Sequence, residues 1–336
     1  MVLPHSKTRK LDGQVYILTN DLGQRIEALR AIGLKTPSAK DHFFIELHNG
    51  IKEMIQEALP NIEVVSYDMQ IMAEKVWAEA IKMQSSIQDS VVVSTCVEMA
   101  TSRRGHVLEV NRIFDSQGKK IGLGPRPGHA SLHSQISSIA AVIGNKPVVL
   151  AEDGAFTGET IARIVRLFRE RGVSISVVVI GICFLGAVDR IKKEFEGKIC
   201  VVAGFENPYE WMPDHDFIPF APNCGRIFGW TTKEEALPHY THDNFSYCFP
   251  YILPFGDPVE WAKIPKQYAW SFSTFCLDQA AILFRRLDKM NKRKLCLVDL
   301  LGATPRVSAP MSLGGHFLPL VNMPISDFLT ETAHED

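Results

Sequence analysis

The chain has 336 residues, of which 46% are hydrophobic and 22% charged, with a formal net charge of −2. This length exceeds the about 100 to 200 residues of one ordinary domain, so an enlarged domain or a core with additions is expected, and the near-average composition supplies a substantial core. The near-neutral charge argues against nucleic acid as the main partner, and the clusters Lys7 to Lys10 and Lys289 to Lys294 read as a solvated terminus and a solvated helix end.

In chain order, Asp41 to Ala58 has helical spacing in Phe44, Leu47, Ile51, Ile55 and Ala58, closed by Pro60. An alternating series follows. Strand-like runs at Ile62 to Ser66, Val91 to Cys96, Pro147 to Ala151, Ile175 to Ile182 and Lys198 to Ala203 are separated by helical patterns at Ile71 to Gln84, Gly158 to Arg171 and Leu185 to Phe195. Such alternation predicts β-α-β crossovers, and hence an α/β fold with a doubly wound, mainly parallel sheet and N- and C-terminal additions. Within the series, Val107 to Phe114 and Lys119 to Leu123 flank the turn-rich Asp115-Ser116-Gln117-Gly118 and predict an antiparallel hairpin. Beyond residue 230 come aromatics, prolines and histidines, then an amphipathic helix from Ser273 to Met290. The expected division is a partly helical region at 1–60, a core at 61–230 and an accessory subdomain at 231–336.

The cysteines, seven in number, include no C-x-x-C pair, which suits reduced thiols in a cytoplasmic protein rather than a disulfide framework or zinc site. No secretory signal is expected from the charged N-terminus. The longest uncharged apolar run, Val173 to Val188, is shorter than the about 20 residues needed to span a bilayer. It predicts a buried central strand and no membrane partner.

The strongest chemical signal runs from Val148 to Thr160. An apolar strand delivers Glu152 and Asp153 at its carboxyl end, followed by Gly154, Ala155 and Phe156 and then Thr157-Gly158-Glu159-Thr160 opening a helix. Ligands of open α/β sheets sit at that strand end. Helix N-terminal amides with the hydroxyls of Thr157 and Thr160 suit a monophosphate, Gly158 permits close backbone approach, and the two acids accept hydrogen bonds from vicinal hydroxyls. The alternative is an ordinary strand-to-helix junction with a capping aspartate.

These thirteen residues resemble the motif by which type I phosphoribosyltransferases bind 5-phosphoribosyl-1-pyrophosphate (PRPP). The resemblance in layout extends from Ile62 to Gly229. It implies that Glu152 and Asp153 hold the ribose hydroxyls, that Ala155, Phe156, Thr157, Gly158, Glu159 and Thr160 hold the 5′-phosphate, and that Asp153 and Arg126 take part in catalysis. It also implies Mg²⁺ carried in by the pyrophosphate with no metal held by protein alone, a small-molecule nitrogen acceptor and a homodimer. Phe156 stands where hypoxanthine-guanine enzymes of the family carry an aspartate, so that acceptor class is not expected. Val107 to Gly128, with Arg112, Lys119, Lys120 and Arg126, and His129 just beyond it, occupies the place of the family's flexible hairpin. The pyrophosphate loop falls at Ser66 to Met69 or at Ser94 to Gly105, the latter preferred for Arg103 and Arg104; Arg112 is a further cation for pyrophosphate. Trp211, Phe217 and Phe220 occupy the base-stacking region, although core packing is the more frequent fate of such aromatics. Asp214-His215-Asp216 and His239 to Asp243 offer metal-type donors, but a hydrogen-bonding role is the simpler reading. Beside an enzyme that releases pyrophosphate stand two alternatives, a PRPP-sensing regulator without turnover and an effector of the same fold in bacterial defence.

Overall fold

Valine-rich runs build the first sheet. In a computed structural model, which describes residues 14–95, 105–205, 208–240, 245–300, 306–308 and 322–333, strands His106–Val107, Val91–Ser94, Val148–Ala155, Ile175–Cys183 and Lys198–Val201 lie side by side in that order. Every adjacent pair is parallel. Val148 to Ala151 and Val178 to Ile180 are fully buried, as strands covered on both faces must be, whereas Lys198–Val201 is partly exposed at the edge. One face carries Val93, Leu150, Val178 and Ile180 and packs on helices Leu132–Ile143, Glu159–Arg169 and Leu185–Lys192. The other takes helix Met69–Ser85, for a side chain at Gly181 would meet Met72 Sδ at 3.0 Å. The α/β fold with helices on both faces of a parallel sheet is therefore present.

The chain forms two compact units. Asp68–Asn111 and Leu123–Pro208 belong to the first; Val15–Tyr67, Arg112–Gly122 and the described parts of Tyr209–Asp336 belong to the second. This differs from the expected sections 1–60, 61–230 and 231–336. The reason is strand pairing between residues far apart in sequence. Val15–Asn20 lies between Pro208–Pro213 and Glu63–Asp68 in a separate three-stranded sheet. The strand expected at Ile62 to Ser66 is thus not part of the parallel sheet.

The expected hairpin forms from Val110–Phe114 and Lys120–Pro125, its turn fixed by Asp115 Oδ1, which accepts the Gln117 and Lys119 amides at 3.0 and 2.9 Å. It is not a free flap. Its first strand pairs in parallel with Arg226–Thr231, Ile113 opposite Ile227, inside a sheet ordered Arg306–Ser308, Ser246–Phe249, Arg226–Thr231, Val110–Phe114, Lys120–Pro125. Ile113 and Phe114 are buried there, and a strand with apolar neighbours on its flank has little freedom to move as a lid.

The second unit has an aromatic core around helices His42–Ala58 and Lys266–Asn291. Phe217 meets Phe272 edge-on at 5.0 Å, and Phe220 meets Phe255, Phe284 and Phe328 in the same manner. Trp211, Phe217 and Phe220 are all buried, with Trp211 Nε1 donating to Thr19 Oγ1 at 3.1 Å. Core packing, the more frequent fate expected of such aromatics, is what these three show, because burying rings of this size outweighs leaving them for a ligand.

Polar groups also enter this core. Asp214 Oδ1 accepts the amides of Asp21 and Leu22 at 3.0 and 2.9 Å, and its Oδ2 lies 3.0 Å from His48 Nδ1. His215 Nδ1 lies 2.7 Å from Asp21 Oδ1 and its Nε2 3.4 Å from Asp216 Oδ1, while Arg25 Nε donates to Asp21 Oδ2 at 2.8 Å. The metal-type reading of Asp214-His215-Asp216 gives way to hydrogen bonding among buried groups. Burial and Arg25 push the His215 pKa down, but Asp21 and Asp216 override them and raise it, since a carboxylate on each side favours the doubly protonated ring. Burial also opposes ionisation of Asp21, and Arg25 and His215 outweigh it, holding that carboxyl well below its usual range. The signs follow. The Asp21 contribution to stability is present above the ordinary aspartate pKa and is lost as pH falls below it; the His215 contribution is complete below about 6.5 and is lost as pH rises through the elevated folded value. Thermal melts from pH 5.5 to 9 are expected to show an alkaline loss of stability in the unmodified protein that is absent in His215→Gln.

Candidate functional site

The Val148–Ala155 strand is flanked on one side by Val91–Ser94 and on the other by Ile175–Cys183. From Val91–Ser94 the chain goes first to His106–Val107 on one side and later to Val148–Ala155 on the other, so the sheet's switch point lies between Val91–Ser94 and Val148–Ala155. Crevices outside the carboxyl ends of strands at such points bind ligands. Glu152 and Asp153 stand there.

Pairing continues farther than the apolar run predicts. Gly154 and Ala155 are still in register with Ile182 and Cys183, so both acids belong to the strand and only Phe156, Thr157 and Gly158 remain as loop. The half-buried Glu152 carboxylate accepts from Thr95 Oγ1, which is also 3.1 Å from the Ala151 carbonyl. Arg126 donates through Nη2 to the Thr95 carbonyl at 3.3 Å, and its Nε lies 3.4 Å from Glu109 Oε2. Those two atoms are buried without a properly aligned hydrogen bond among the described residues. Burial pushes the Glu152 carboxyl well above its usual range; the adjoining Asp153 adds to the rise, and Thr95 and Arg126 oppose it. A hydroxyl donor or a cation delivered to the pair relieves this crowding. Two adjacent carboxylates are also hard oxygen donors of the kind that supplement phosphate and water around Mg²⁺.

Gly158 opens helix Glu159–Arg169 at φ 72°, and the hydroxyl of Thr157 accepts the Glu159 amide of its first turn at 3.4 Å. Thr157 and Glu159 are exposed and Thr160 is half-buried, whereas Ala155 is buried. The aromatic ring of Phe156 stacks on Phe184 with centroids 4.7 Å apart. The need for glycine at 158 comes from packing: a Cβ there would sit 2.4 Å from the Ala187 carbonyl oxygen. Sequence reasoning ascribed it to approach of an anion instead.

The remaining expected residues are dispersed. Arg126 joins Thr95 and Glu152 in the first unit, while Arg112 belongs to the second, where its charge acts on the buried carboxyl of Glu210. Arg103 and Arg104 lie outside the described residues, as does most of the Ser94 to Gly105 segment. In the other candidate loop, Ser66 bonds to His48 Nε2 and Met69 is buried. Glu109 and Thr95 were not anticipated. Thr95 follows a strand next to the motif strand, and that position is a signal only once the strand order is known. Among the described residues no cluster of three or more His, Cys, Asp or Glu is arranged to hold a metal ion.

No protein-family model matches the chain, and no curated protein does. The crystal structure of TT1426 from Thermus thermophilus aligns with 42% of this chain and 84% of its own at 16% identity and a TM-score of 0.27, too low to bear on fold or function.

Gly158→Ala is expected to lower stability by about 2 kcal/mol, the sum of a left-handed backbone penalty and the contact with Ala187. Urea denaturation without ligand measures this, and an unchanged midpoint would refute the packing role.

Proposed function

We propose that the first unit binds PRPP at the end of the Val148–Ala155 strand and transfers its phosphoribosyl group to a nitrogen acceptor with release of pyrophosphate, in the manner of a type I phosphoribosyltransferase. One observation carries the reading: an acid pair at the switch point of a parallel sheet, followed within a three-residue loop by a helix N-terminus. Glu152 and Asp153 accept the ribose hydroxyls. The amides and hydroxyls of Thr157 to Thr160 take the 5′-phosphate. Departure of pyrophosphate leaves an oxocarbenium-like centre at C1, and the nearby carboxylates stabilise that positive charge. Mg²⁺ bound with the pyrophosphate supplies charge neutralisation for the leaving group. Arg126 acts from beside Thr95 and Glu152, holding the base of the crevice and adding positive charge.

Phe156 is committed to Phe184, which supports an acceptor other than hypoxanthine or guanine. Among the described residues no helix is long and apolar enough to cross a membrane. The scattered cysteines suit a cytoplasmic location, and a homodimer is the assembly the family resemblance implies.

The test incubates the protein with labelled PRPP, Mg²⁺ and a panel of bases and follows pyrophosphate release. Asp153→Asn removes a charge-assisted hydrogen bond and is expected to weaken PRPP binding by about 10- to 100-fold. Thr157→Ala loses a neutral one and is expected to cost about 3- to 10-fold. Calorimetric titration reads both, and unchanged affinity in both variants would remove the assignment. Tight binding without pyrophosphate release would assign a sensor of PRPP in place of an enzyme.

A further inference from the structure

Helix His42–Ala58 buries the stripe Phe44, Leu47, His48, Ile51 and Ile55. A histidine in such a stripe must find partners for both ring nitrogens. The two partners of His48 are unlike. Nδ1 lies 3.0 Å from Asp214 Oδ2, and Nε2 lies 3.0 Å from the hydroxyl of Ser66. The other oxygen of Asp214 already accepts two backbone amides. An ionised carboxylate only accepts, so the proton of neutral His48 sits on Nδ1 and Nε2 presents its lone pair to the Ser66 O–H. His48 and Asp214 are buried, whereas Ser66 is exposed.

Ser66 lies on the Glu63–Asp68 strand, two residues after the buried Val64, and therefore on the face that Val64 turns to the core. Among the described residues this strand ends its sheet. All three residues belong to the second unit.

We propose that Ser66, His48 and Asp214 form a nucleophile, base and orienting carboxylate, and that Ser66 accepts acyl groups from small carboxylic esters. Ser66 Oγ attacks the carbonyl carbon while its proton passes to His48 Nε2. Collapse of the tetrahedral adduct breaks the ester C–O bond, and the departing alkoxide takes that proton and leaves as the alcohol. Water, deprotonated by His48, attacks the acyl-serine; the acid departs and Ser66 Oγ regains the proton. Asp214 is a positioning residue that fixes the ring tautomer. This activity is independent of PRPP binding and does not fall with it.

The full-length protein is treated with a fluorophosphonate probe, and adducts are located by intact mass and peptide mapping. Ser66 is expected to be labelled about 100-fold faster than other exposed serines, the lower range of a general-base contribution. Ser66→Ala should lose the adduct, and His48→Gln should retain Ser66 but label it no faster than other serines. Labelling of Ser66 at the rate of its neighbours, or an adduct that survives in Ser66→Ala, would overturn the proposal.

Discussion

Placing two adjacent acids at the buried end of an apolar strand is the constraint on which the first unit turns. Val148 to Ala151 are buried, and the strand that continues from them holds Glu152 and Asp153 in register with the next strand through Ala155. Backbone pairing thus decides where the carboxylates stand, and neither can retreat into solvent without breaking it. Thr95 and Arg126 soften the cost at Glu152 without cancelling it, for its pKa remains raised. Burial is the larger part of that cost, and the adjoining Asp153 adds to it.

The parallel sheet was legible because its signal is local. Runs such as Val148 to Ala151 and Val177 to Ile180 are apolar on both faces, and their spacing leaves room for crossover helices. The helix Leu132–Ile143 went unread although Ser131 caps it, Gly144 ends it and Leu132, Ile136, Ile139 and Ile143 repeat at helical spacing. The strand Val15–Asn20 was not separable by pattern from a short buried helix. Its pairing with Pro208–Pro213 is a contact between distant residues, which no window along the chain can register. The same reason limits what could be read at Trp211, Phe217 and Phe220: core packing was the more frequent fate expected of them, and the three-dimensional contacts alone name their neighbours.

Of the candidate site, the acids, the tight turn and the helix N-terminus were readable, and their support was not. Thr95 and Glu109 have no motif of their own; they acquire meaning from the order of strands around Val148–Ala155. Gly158 shows a subtler limit. Its type was correctly singled out, yet the physical demand for it comes from the Ala187 carbonyl, so a match of residue to motif does not establish which force selected the residue.

Buried polar groups in the second unit extend this reasoning. His215 has carboxylates on both sides and is thereby pushed toward the charged ring, which can donate twice and accept nothing. His48 has one carboxylate and one hydroxyl, which leaves its neutral ring with a lone pair facing an exposed oxygen. Two histidines packed in one unit around Asp21 and Asp214 thus acquire opposite chemical characters from a single difference in their partners. The first is suited only to holding structure together, whereas the second retains the capacity to take a proton, and that capacity is oriented toward solvent.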